Sequence, residues 1–201
     1  MRTVGSHLPF GAAIDPPEPA LVMYEAFPDL VMAEKPEVVE WSEQLGAAIV
    51  AQFDGQYENW KFVRKPDLLW ASPKLVPRRI FFPSFGRRRR SRPRSPFVLK
   101  GNCNDWSPTL LRRCRGPVGI PRGAMRLVRC SFRRQEHLLL SIETTKGSFI
   151  CCNLSRCHFL KDVNRGGNYT WHSCEGHDGR WRSLKSVPLD QLVGGKHGSS
   201  A

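Results

Sequence analysis

Apolar positions recur along this chain at two periods, one helical and one strand-like. Between residues 36 and 53, Val38, Trp41, Leu45, Ala48 and Ile49 fall at the three-to-four-residue spacing of a single helix face. Pro36 suits a first turn, Glu37 and Glu40 favour the positive helix N-terminus, and Asp54-Gly55 supplies a stop. The spacing predicts a helix over 36–53 whose stripe packs into a core. Past residue 124 the texture changes to short apolar runs separated by Gly-bearing or charged breaks. Strands are expected over 125–132, 137–143, 148–153, 158–163, 169–173 and 181–184. Each break is short enough for a tight connection, so an antiparallel β meander or small open barrel is the simplest arrangement.

The intervening and terminal segments carry weaker patterns. Residues 1–35 are interrupted by Pro16, Pro17, Pro19 and Pro28, and read as an irregular acidic arm. Residues 54–82 continue the helical unit into short extended segments broken by Pro66, Pro73 and Pro77. Residues 83–124 read as an Arg-rich, Gly- and Pro-rich linker, and 194–201 as a disordered tail. The expected class is therefore α+β: one N-terminal helix over 36–53, extended segments to 82, the disordered linker, then an antiparallel β domain over 125–193.

Charge divides the chain. Residues 1–60 hold ten acids against two bases, leaving 29 bases and 8 acids in the remainder. Six arginines, Arg87, Arg88, Arg89, Arg90, Arg92 and Arg94, fall between Gly86 and Pro96. Pro93 and Pro96 oppose a helix there, and planar guanidinium groups suit bidentate contacts to phosphate. The pattern predicts a polyanion partner, RNA foremost, with Trp60, Phe62, Trp70 and Phe81 as candidate stacking rings. A nuclear import receptor could read the same arginines. Ser91 and Ser95 are candidate phosphorylation sites, and two phosphates would weaken contact with a polyanion.

Seven cysteines, an odd number, suit thiols or metal ligands in a reducing compartment better than a disulfide frame. Cys152, Cys157, His172 and Cys174 form the candidate set for one structural zinc, since two clusters on neighbouring strands each offer two soft or borderline ligands. Against it, the chain has no Cys-x2-Cys pair, and buried thiols with surface histidines, binding no cofactor, explain the same residues. Cys157 with His158 or His172 is the one candidate nucleophile and base. Phosphate-loop, nucleophile-elbow, His-Glu-x2-His, zinc-deaminase and dinucleotide signatures are all missing. No apolar run of eighteen residues occurs, and no apolar core follows a basic start, so neither membrane insertion nor secretion is expected. The expectation is a non-enzymatic, nuclear or cytoplasmic RNA-binding accessory protein of undetermined oligomeric state. A protein-interaction adaptor whose tract serves import is the alternative, and an overprinted reading frame the third.

Overall fold

Helix α1 spans Glu43–Glu58 because Ser42, held in extended backbone, accepts the Leu45 N–H on its hydroxyl at 3.0 Å. The computed structural model describes residues 13–14, 35–62, 74–77, 97–164, 168–176 and 180–184. The arginine tract, Ser91, Ser95, Trp70 and Phe81 lie outside them. The start of α1 corrects the expected one. Residues 36–41 run beside a strand instead, where Val39 N–H donates to Glu143 O and Thr145 N–H donates to Val39 O. The helix also continues through Asp54-Gly55 to Glu58, capped by Asn59, and its buried face is Gly46, Ile49, Phe53 and Gln56. Trp41, outside the helix, folds back over Gly46, where a Cβ would lie 2.7 Å from the indole.

The second long helix, α2 (Cys103–Arg115), occupies what read as a linker. Asn102 takes the N–H groups of Asn104 and Asp105 on its side chain, at 3.0 and 3.3 Å, and Asp105 returns a bond to Asn102 N–H at 2.9 Å. This reciprocal cap supplies the nucleus that Pro108, inside the helix, would otherwise undermine. Arg112, Arg113 and Arg115 in the last turn complement the negative end.

Strands β5 (Met125–Phe132), β6 (Gln135–Thr144), β7 (Gly147–Cys152) and β8 (Arg156–Phe159) form the expected antiparallel meander. The chain then makes a short helix α3 (Leu160–Asn164), where a strand to 163 was expected. β9 (Tyr169–Glu175) crosses back to pair with β5, and β10 (Trp181–Ser183) extends that edge to β1 (Ala13–Ile14). The resulting open sheet has the order β1-β10-β9-β5-β6-β7-β8. A smaller sheet places β4 (Phe97–Gly101) between β2 (Trp60–Phe62), which is parallel to it, and β3 (Lys74–Pro77), which is antiparallel. The class is α+β, as the pattern predicts.

Both faces of the large sheet are covered. Leu138, Leu140, Ile142, Phe149 and Cys151 join Ile49 and Phe53 of α1 and Trp106, Leu110, Leu111 and Cys114 of α2 in one core. Val128, Cys130, Leu139, Ile150, Cys152, Trp171 and Cys174 join Leu160 and Val163 of α3 in another. From His137 onward every β6 residue is buried, so the apolar-polar alternation of a half-exposed strand is lost there.

Candidate active site

The start of α2, the start of β6 and the end of β7 meet around one imidazole. Cys103 is the first residue of α2, immediately after the capped Asn102, and is half-exposed. A helix start offers N–H groups and the positive end of its dipole to an anion. The approach is close: a Cβ on Gly101 would stand 2.6 Å from an Asp105 carboxylate oxygen and 2.8 Å from the Trp60 ring. Gly101→Ala is expected to cost roughly 1–3 kcal/mol by overpacking, read as a lower urea midpoint.

His137 is 5% exposed and sits on β6 opposite Cys130 of β5. Its Nε2 lies 3.1 Å from Cys152 Sγ, and the Cys103 thiol, which donates to Asn104 Oδ1 at 3.5 Å, also interacts with the ring. Cys152 Sγ also accepts Leu154 N–H at 3.4 Å and interacts with the Tyr169 hydroxyl, itself 2.6 Å from Ser155 Oγ. Polar groups gathered around one sulfur in this way make the environment of an anion. Burial opposes ionisation of Cys152, but His137, Tyr169 and the Leu154 amide outweigh it and bring the thiol down to about 6. Burial likewise opposes charge on His137, yet the two thiols, Cys103 and Cys152, raise the ring to about 9. The two shifts describe a thiolate beside an imidazolium near neutral pH.

Their effects on stability run in opposite directions. The Cys152 contribution is complete above 9.0, its ordinary value, and is lost as pH falls through about 6. The His137 contribution is complete below 6.5 and is lost as pH rises through about 9. Across the intervening window the pair therefore adds little net slope. Four other thiols do add one. Burial holds Cys114 up at about 12 and Cys174 at about 11, burial also raises Cys130, and a hydrogen bond to Cys157 together with burial raises Cys151. Staying neutral in the fold while ionising when unfolded, each is expected to remove about 1.4 kcal/mol of stability per pH unit above 9. Urea midpoints compared at pH 8 and 10.5 would measure that fall.

The expected zinc set does not assemble. Cys152 is on β7 while His172 and Cys174 are on β9, with β6 and β5 between them. Cys157 packs against the core on the other face of the sheet from Cys152 and Cys174. Among the described residues no three His, Cys, Asp or Glu groups are placed to hold a metal ion. The expected dyad partners are also elsewhere. His158 Nε2 contacts Ser155 O at 2.5 Å, and His172 Nε2 contacts Ser131 Oγ at 2.7 Å and lies 3.5 Å from Glu136. Of the candidate stacking rings, Trp60 is a core residue, 8% exposed, with Nε1 donating to Gly101 O at 3.2 Å, so it is not an open platform for a base. Phe62 is exposed and lies 6.2 Å from the Tyr57 ring. No described helix is long and apolar enough to cross a membrane.

No protein-family model matches the chain, and no curated protein matches it. Among solved structures it is similar to calcium-bound LapG of Legionella pneumophila, at 15% identity over 88% of this chain and 89% of that one, with a TM-score of 0.48.

Proposed function

We propose that this protein is a cysteine-nucleophile enzyme that cleaves an amide or ester bond by acyl transfer. The observation carrying this reading is that the His137 ring interacts with two thiols brought to it by separate elements, the buried Cys152 at 3.1 Å and the half-exposed Cys103. Cys103 is the nucleophile, since it combines access with a helix start. The His137 imidazolium favours the thiolate form of Cys103, whose proton goes to solvent, and is then the acid that protonates the leaving group. Cys152 orients the ring, in the role a carboxylate plays in other nucleophile-base-orienter sites. The thiolate adds to the substrate carbonyl, the leaving amine or alcohol departs with the imidazolium proton, and water hydrolyses the thioester. The absence of a linear enzyme motif does not oppose this, because the three residues share no local spacing. p-Nitrophenyl acetate tests it: a burst of nitrophenolate stoichiometric with the chain is expected, with the acetyl group on Cys103. Acetylation of no thiol, or of Cys157 as readily as Cys103, would end the reading.

RNA binding through Arg87–Arg90, Arg92 and Arg94 is a second proposal, favoured by one feature of the small sheet. Lys61, Lys100 and Lys74 stand in register across its three strands, Lys61 and Lys100 exposed, and residues 78–96 connect β3 to β4. Six phosphate contacts on a duplex would give a slope of log affinity against log salt near −5, a loss of roughly a thousandfold between 50 and 200 mM. Filter binding at two salt concentrations, with and without the six arginines, measures it. The import and adaptor readings predict instead that a partner protein is retained after nuclease treatment.

A further inference from the structure

Cys151 and Cys157 occupy directly opposed positions on β7 and β8, one register pair from the turn that joins them. Opposed residues in an antiparallel pair hold their Cα atoms about 4.5–5.5 Å apart, inside the span of about 4.4–6.8 Å that a disulfide bridges. Directly opposed residues of an antiparallel pair project to the same face, and both side chains pack in the same core. Cys151 is wholly buried in the core beneath α1 and α2, whereas Cys157 is half-exposed and within reach of solvent. Cys114 of α2 is the third thiol of this cluster and is also buried. None of these three bonds the His137 ring.

We propose that Cys151 and Cys157 form a reversible cross-strand disulfide when the protein meets a peroxide. Cys157, the accessible member, attacks the peroxide. Its sulfur gains an S–O bond as the O–O bond breaks, giving a sulfenic acid and one water. Cys151 then attacks that sulfur, an S–S bond replaces the S–O bond, and the hydroxyl leaves with the Cys151 proton as a second water. Two thiols are oxidised and one peroxide is reduced to two waters. The bridge closes a covalent ring over residues 152–156, which carry Cys152 and the Leu154 amide, and so fastens the turn that surrounds the Cys152 sulfur. Its formation does not depend on the acyl-transfer reading, since it rests on strand register and on different thiols.

Trypsin makes the bridge readable, because it cuts after Arg156, between the two cysteines. The full-length chain is treated with hydrogen peroxide in several-fold excess, because Cys103 competes for it, digested without reductant and analysed by mass spectrometry. The expected product joins peptide 147–156 to peptide 157–161 with the loss of two hydrogens, and dithiothreitol separates them. Peptide 147–156 also contains Cys152, so variants assign the sulfur: Cys152→Ser keeps the joined product and Cys151→Ser abolishes it. A link from Cys157 to Cys152 or Cys114, or conversion of Cys157 to sulfinic acid with no link, would overturn the proposal.

Discussion

Replacing His137 with alanine is expected to slow acetylation of Cys103 by p-nitrophenyl acetate about 10²–10⁴-fold, the contribution typical of positioned acid–base catalysis. The variant leaves Cys103 at the start of α2 with its cap intact, because Asn102 and Asp105 close that helix without the imidazole. It also removes the donor at 3.1 Å from Cys152, so its melting temperature has to be measured beside its rate. Two changes at Cys152 separate orientation from packing. Cys152→Asp keeps an anionic acceptor for His137, Leu154 N–H and Tyr169, and is expected to hold most of the rate. Cys152→Ala removes the acceptor and is expected to fall toward the His137→Ala level. If Cys152 only filled space, alanine and aspartate would reorder, since a buried carboxylate packs worse than a methyl group.

The largest expected loss of stability comes from Glu175→Ala, about 3–5 kcal/mol in a urea titration. Glu175 is 1% exposed, and its carboxylate meets the Arg122 guanidinium at 2.5 Å and accepts Leu127 N–H at 3.3 Å. Arg122 is itself buried and donates to Met125 O. The contact ties the turn before β5 to the end of β9, the strand that crosses back over the meander. Without the carboxylate, a buried guanidinium loses this counter-charge and the Leu127 amide loses this acceptor, both of which cost more than the pair contributes net. A double substitution, Arg122→Met with Glu175→Leu, is expected to recover much of the loss, because an apolar pair of similar volume avoids desolvating either charge. Recovery absent from the double variant would mean that the carboxylate acts through other partners.

The sheet was the most legible part of the sequence, since Arg133-Arg134 and Lys146-Gly147 mark the turns between β5, β6 and β7. Gly147, at φ 114°, takes a conformation that glycine adopts freely. The order of β9 was not legible, because its pairing with β5 rests on contacts distant in sequence. The helix near residue 40 was found but displaced: Pro36 and Glu37 imitate a helix start, whereas residues 36–41 are spent on pairing beside Thr144 and Ser42 provides the actual cap. Helix α2 was missed although Asn102 and Asp105 spell a capping box and Trp106, Leu110, Leu111 and Cys114 recur at helical spacing. Pro108 and the flanking glycines masked it. The candidate site was the least legible. Cys157-His158 drew attention as neighbours in sequence, while Cys103, His137 and Cys152 meet only through tertiary folding. A cysteine directly after a helix cap was the one local sign.

Cys103 and Cys157 are both half-exposed, so their relative reactivity isolates what the His137 ring does. The most direct measurement is competitive labelling by limiting iodoacetamide at pH 6.5, with each peptide quantified separately. Cys103 is expected to react at least about tenfold faster than Cys157, as an activated thiol does against an ordinary one, and His137→Ala is expected to bring the two rates together. Equal labelling of the two thiols in the unmodified chain, unchanged by the substitution, would contradict the account.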